Sequence, residues 1–187
     1  MLQGGYVATF THRLATIDDE PAIMALMEAA IVGNMADFLS EDEVEAARES
    51  MGIDHSLIND GTYFVIETEV DGDTIVVACG GWGKRRTLYG GNHTAGRDDS
   101  LSDPATEPAR IRAMYTHPEW TRQGLGTLLL DLGENAARDA GFRTIELGST
   151  VPGEPLYLAR GYRELSREIQ IAANGSDNTI IHMSKDL

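Results

Sequence analysis

One stretch concentrates the residues that could do chemistry: Met114-Tyr115-Thr116-His117-Pro118-Glu119-Trp120-Thr121-Arg122-Gln123-Gly124-Leu125-Gly126-Thr127. The run before Pro118 reads as a strand, and Pro118, with no N–H for a ladder, helps to end it. A turn with two glycines follows, and then a run with helical spacing. Such a strand, turn and helix make an anion site. The first N–H groups of a helix have no internal partner and point outward, and the helix dipole adds positive potential there. Gly124 and Gly126 carry no side chain that would keep a diphosphate from those N–H groups. A tight turn with no ligand would use the same glycines. Two nucleotide signatures fail on these residues. A dinucleotide fingerprint needs a third glycine where Leu129 stands. A Walker loop needs Gly-Lys-Ser/Thr, but Gly83-Lys84 is followed by Arg85, and Ala78 holds the place of the earlier glycine.

A second segment, Pro155-Leu156-Tyr157-Leu158-Ala159-Arg160-Gly161-Tyr162, follows the next expected strand. A phenol with an ordinary pKa of about 10 is protonated at neutral pH and can donate to a sulfur anion. Packing of the Tyr157 ring against a sheet is the plainer role.

Together the two segments carry a resemblance. Thr121 to Gly126 resembles the acetyl-CoA motif of the GCN5-related N-acetyltransferase (GNAT) superfamily, Arg/Gln-x-x-Gly-x-Gly/Ala. Both glycines match, and Thr121 replaces the first residue, with Arg122 and Gln123 beside it. Pro155 to Tyr162 resembles the family's Tyr-x-x-x-Gly-Phe/Tyr segment. The resemblance implies acetyl-CoA as co-substrate, held at Arg122, Gln123, Gly124, Leu125, Gly126 and Thr127. It implies that the backbone of Met114, Tyr115 and Thr116 takes the pantetheine arm like an added strand. It gives Tyr157 the role of general acid, protonating the coenzyme A thiolate. Thr150 stands where many members have Asn. The implied reaction is direct transfer of the acetyl group from the coenzyme A thioester to an amine, on a small molecule or a protein. A rival from another class is a non-catalytic acyl-CoA-binding or sensing module.

The rest of the chain must position these segments. Thr9 to Leu14 reads as a strand. Thr16, Asp19 and Pro21 open a helix whose apolar positions Ile23, Leu26, Met27, Ala30 and Ile31 have helical spacing. Ser40 and Glu43 form a capping box for a helix to about Met51. Strands are expected over Thr62 to Val70 and Thr74 to Trp82, with Asp71-Gly72-Asp73 as the hairpin turn. Ala109 to Thr116 is a strand. Leu125 to Ala140 is a helix with Leu128, Leu129, Leu132 and Ala136 on one face, ended by Gly141. A strand over Arg143 to Ser149, a short helix near Pro155 to Arg160, and strands over Tyr162 to Ala172 and Thr179 to Met183 complete the order β-α-α-β-β-β-α-β-α-β-β. This is an α/β chain, an α+β mixed sheet with helices packed on it, and the order matches the GNAT acyl-CoA N-acyltransferase fold. One domain over residues 1–187 is expected, with a long loop at about 83–108. That loop is rich in Gly, Asp, Ser, Thr and Pro; it is either a lid over a substrate or disordered.

Composition narrows the partners. Fifteen Lys and Arg against thirty Asp and Glu give a net charge of −15, which argues against nucleic-acid binding and suits a cationic amine or simple solubility. No apolar run is long enough for a membrane span, and Met1 to Phe10 shows no secretion signal. The lone Cys79 makes no intrachain disulfide; it is a small buried hydrophobe or, less simply, a nucleophile, and the cytoplasm is the expected compartment. His12, His55, His93, His117 and His182 form no i, i+4 pair, so no metal is expected. Glu67, Glu69, Glu146 and His117 are candidate bases by type alone. Trp82 and Tyr89 are candidates for an apolar acceptor wall, with core packing the rival role for Trp82. By family analogy a homodimer is expected.

Overall fold

The computed structural model describes residues 8–187. Residues 1–7, part of the stretch read for a secretion signal, lie outside them. After β1 (Thr11–Leu14) a helical turn leads into α1 (Glu20–Met35). Asp19 sets that entry: its carboxylate accepts from the Thr16 N–H at 2.7 Å and from Arg13 at 2.7 and 2.8 Å. The Arg13 guanidinium holds the Asp19 carboxyl down to about 2. All five expected apolar positions of α1 are buried, with Met35 added.

The capping box of α2 (Glu41–Ala47) is made, with Glu43 accepting from the Ser40 N–H at 2.8 Å. This helix stops short of the expected Met51. A tight turn at Arg48–Ser50 follows, and Met51 is already extended. The chain leaves the helix because Gly52 donates its N–H to the Tyr115 hydroxyl at 3.3 Å, a tertiary bond that a helical path would forfeit. A further helix, α3 (His55–Asn59), was not expected from spacing; Asp54 caps it by accepting from the Ser56 N–H at 3.0 Å.

The hairpin of β2 (Tyr63–Val70) and β3 (Asp73–Gly83) turns at Asp71 and Gly72, both with positive φ, 53° and 91°. That pair of angles matches the right-handed twist of the flanking strands. The remaining elements are β4 (Ala109–Thr116), α4 (Leu125–Asp139), β5 (Thr144–Ser149), α5 (Glu154–Ala159), β6 (Arg163–Ile171) and β7 (Asp177–Asp186). They form one mixed sheet in the order β1-β2-β3-β4-β5-β7-β6.

Strand alternation divides the core, except that a bulge in β3 at Val77 puts adjacent Val77 and Ala78 on one side. Tyr63, Val65, Cys79 and Tyr115 pack with α1, whereas Ile66, Val77 and Ala78 pack with Leu125 and Leu129 of α4. Burying a side chain such as Leu129 or Leu130, both essentially inaccessible, contributes about 1.5–3 kcal/mol each. The buried face of α4 is Leu125, Leu129, Leu130, Gly133, Glu134 and Ala137; of the expected face Leu129 is buried, and Leu128, Leu132 and Ala136 are half-buried at its margin. That face includes one carboxylate. Glu134 accepts from Lys185 Nζ at 2.7 Å and from the Tyr162 hydroxyl at 3.0 Å, which makes burial of its charge tolerable.

Candidate active site

The site begins where two strands part. β4 and β5 are parallel and pair only at Ala109↔Ile145 and Arg110↔Glu146. Beyond those residues β4 stays paired to β3 and β5 to β7. A cleft opens between them, walled by Met114 and Tyr115 on one side, Leu147, Gly148 and Ser149 on the other, and Tyr157. A β-bulge sharpens the parting. Between the pairs Gly81↔Arg112 and Cys79↔Tyr115, two residues, Ala113 and Met114, face the single Gly80. Ala113 takes a left-handed φ of 49°, a conformation costing a non-glycine residue about 1–2 kcal/mol. Gly80 is the complement of the bulge, because a Cβ there would run into Met114 Sδ. The Gly80-Gly81 pair inside a strand was the available signal of a bulge.

From β4 the chain passes a helical turn at Pro118–Trp120 and enters α4. Arg122 and Gly124 both have left-handed φ, 63° and 82°. Gly124 is the N-cap, and among the described residues no side chain bonds the start of the helix. The first bond back to the cap is from the Leu128 N–H to the Gly124 carbonyl at 2.9 Å. The N–H groups of Leu125, Gly126 and Thr127 are therefore free for an anion. The two glycines act differently from a pair of cleared side chains. Among the described residues a Cβ on Gly124 would meet nothing within 4 Å, so its need is the backbone angle. A Cβ on Gly126 would lie 2.9 Å from Leu156 Cδ2, so Gly126 lets the start of α4 pack on α5, the helix that carries Tyr157.

Tyr157 is buried, edge-on to Tyr162 with ring centroids 5.7 Å apart. Its hydroxyl has no hydrogen bond among the described residues, and burial pushes its pKa up to about 12. It is a protonated donor without a partner on the wall of a cleft. The Tyr115 phenol is likewise raised by burial. Met114, Tyr115, Tyr157 and Thr150 share the cleft wall. Arg122, Gln123 and Gly124 are exposed at the mouth of α4. The Thr116 carbonyl accepts from Asn34 Nδ2 at 2.7 Å and lies off the wall.

The four candidate bases are elsewhere. Glu67 is paired with Arg13 at 2.7 Å. Glu69 accepts from Thr74 at 2.6 Å. Glu146 lies 2.8 Å from His182 Nε2, and His117 Nδ1 accepts from the Glu119 N–H at 3.3 Å. Among the described residues no carboxylate or imidazole lines the cleft, and residues 1–7 contain none. Trp82 is a core residue, edge-on to Phe142 at 5.9 Å.

The segment from 84 to 108 is irregular but tied down. Arg112, 3% exposed, donates to Asp54 at 2.7 Å and to the carbonyls of Gly90 and Thr87 at 2.7 and 3.1 Å. Arg97 joins the same carboxylate at 2.9 Å. Arg85 grips Asp60 with two bonds of 2.7 Å, and Arg86 grips Glu107 at 2.6 and 2.8 Å. Burial would raise the Asp54 carboxyl, but Ser56 and the two arginines outweigh it and hold it low. This scaffold sets Tyr89 over Gly148 of β5, where its hydroxyl accepts from Gln170 Nε2 at 2.6 Å. Beyond Leu88 and Tyr89 a wider opening begins, lined in part by Glu49, Arg86, Asp98 and Gln170. Neither Tyr89's place nor that of Ser50 and Gly52 on the cleft carries a sequence motif.

The model of the Acetyltransferase (GNAT) family matches residues 32–162. This chain belongs to the GNAT family. It is an acyltransferase by that membership, and the family draws its acyl group from acetyl-CoA. The fold is shared with solved structures. A GCN5-related N-acetyltransferase from Rhodopseudomonas palustris is 20% identical, with 98% of this chain and 100% of that one covered and a TM-score of 0.67. The PaiA N-acetyltransferase of Thermoplasma acidophilum, in complex with coenzyme A, is 14% identical over 96% and 99% of the two chains, with a TM-score of 0.58. YncA from Salmonella typhimurium, with its cofactor acetyl-CoA, is 18% identical over 96% and 94%, with a TM-score of 0.60. No curated protein matches the chain by sequence.

Proposed function

We propose that this GNAT domain transfers the acetyl group of acetyl-CoA directly to a primary amine. The observation that carries the proposal is the open parting of β4 from β5 beside an uncapped helix start. The free N–H groups of Leu125 to Thr127 suit a diphosphate. The unpaired edge of β4 at Met114 and Tyr115 suits an amide-bearing arm that adds as a strand. Tyr157 then faces the leaving sulfur as hydrogen-bond donor. Holding both reactants in one cleft supplies much of the acceleration.

The acceptor enters from the opening beyond Tyr89, where Glu49 and Asp98 stand beside Arg86 and Arg97. With no carboxylate or imidazole on the cleft wall among the described residues, the amine must reach the thioester neutral or release its proton to water. The test is free-thiol release from acetyl-CoA with a panel of primary amines. Amine-dependent release is expected. Coenzyme A binding with no release from any amine would leave an acyl-CoA-binding module instead, and absence of binding would remove the proposal.

A further inference from the structure

The bulge in β4 is held from behind by a side chain outside both motif segments. Tyr63, at the start of β2, is buried, and its hydroxyl donates to the Ala113 carbonyl at 2.8 Å. Cys79 Sγ lies 3.2 Å from the same hydroxyl oxygen. A phenol has one proton to give. With that proton on the carbonyl, the Cys79 thiol is the donor to the phenol oxygen. Burial keeps the thiol protonated, pushed up to about 12, so Cys79 is a buried donor and not a nucleophile.

Ala113 requires such support. At a φ of 49° its Cβ is crowded, and an alanine has no polar side chain with which to compensate. The peptide that follows is trans. In a planar trans peptide the carbonyl of one residue and the N–H of the next point in opposite directions. A carbonyl fixed toward β2 therefore aims the Met114 N–H toward the other edge of β4, where that strand has parted from β5. We propose that Tyr63 is a positioning residue whose hydroxyl locks the left-handed bulge and so holds the Met114 N–H ready to polarise the acyl oxygen of the thioester. A donor fixed before the reaction needs no reorganisation as negative charge develops on that oxygen. The inference rests on the acetyl-CoA reading above.

The test uses acetyl-CoA carrying heavy carbon at the acyl carbonyl, whose stretch is followed by infrared difference spectroscopy on the bound protein. Calorimetry with coenzyme A, which lacks the acyl group, runs alongside. In the wild type the bound carbonyl stretch falls below that of free acetyl-CoA. In Tyr63→Phe the fall shrinks and amine-dependent turnover drops roughly tenfold, while coenzyme A affinity is retained. Adding Ala113→Gly to Tyr63→Phe restores the shift, because glycine takes a left-handed φ without a Cβ penalty; lost packing alone would not be rescued there. Should Tyr63→Phe fail to fold, Ala113→Val asks the same question with the hydroxyl in place. Its branched side chain opposes the left-handed region, and the shift is expected to shrink. A wild type that binds acetyl-CoA with an unshifted carbonyl, or a Tyr63→Phe or Ala113→Val variant that keeps the full shift, overturns the inference. A wild type that binds no coenzyme A overturns the acetyl-CoA reading and this inference with it.

Discussion

Replacing Tyr157 with Phe removes one oxygen and little else. The ring keeps its edge-on contact with Tyr162, 5.7 Å between centroids, so folding stability should change little. What is lost is a donor whose hydroxyl has no other partner among the described residues. A hydrogen bond to a charged group is worth about 1.5–3 kcal/mol. At 1.36 kcal/mol per tenfold, kcat should fall by about 10- to 150-fold, with KM for acetyl-CoA nearly unchanged because the bond forms only as the sulfur becomes negative. The pKa values decide what kind of donor this is. In water a thiol titrates near 8.5, so full proton transfer from a phenol at about 12 would run uphill by about 5 kcal/mol. Shut away from water the pKa of the thiol rises too, which narrows the gap. Either way Tyr157 is protonated at neutral pH, and its contribution is lost only as pH rises through about 12. Stopped assays of thiol release at saturating amine would read the change. An unchanged kcat, or a loss that appears in KM alone, would refute the role and leave Tyr157 as packing.

The amine itself should govern the acid side of the rate profile. kcat/KM is expected to rise with pH up to the acceptor's own pKa, and the midpoint should move when acceptors of different basicity are compared; a midpoint fixed near 6–7 for every acceptor would reveal a protein base. Asp54→Asn leaves buried Arg112 without its carboxylate at 2.7 Å, and urea unfolding should show a loss of about 3–5 kcal/mol together with faster proteolysis within residues 84–108; unchanged stability would show that the pair does not hold the segment. Gly126→Val drives a side chain toward Leu156, displacing α5 with Tyr157, and overpacking of this kind costs about 1–3 kcal/mol. Leu156→Ala in the same chain should recover part of both stability and turnover, and failure to do so would place the defect at the helix start instead.

Local signals were readable where local forces dominate. The α1 periodicity, the Asp71-Gly72 turn and the β4 bounds of Ala109 and Thr116 all follow from residues near one another in the chain. The uncapped start of α4 was visible for the same reason. What could not be read depends on partners far away. Glu134 can sit on the buried face of α4 because Lys185 and Tyr162 satisfy its carboxylate. The helix begun at Glu41 ends early because Gly52 is bound to Tyr115. The 84–108 segment has no periodicity, yet Asp54, Asp60 and Arg112 hold it in place. In the site, the glycine turn and the tyrosine segment marked α4 and Tyr157. The bulge at Ala113 and the place of Tyr89 on the cleft wall came from segments whose only signals were Gly80-Gly81 and a single aromatic residue.

A crystal structure of the chain with coenzyme A tests the central claim most directly. The diphosphate is expected on the N–H groups of Leu125, Gly126 and Thr127, the pantetheine arm along Met114 and Tyr115, and the thiol within hydrogen-bond reach of the Tyr157 hydroxyl. Coenzyme A bound elsewhere, with the parting between β4 and β5 still empty, would contradict the account.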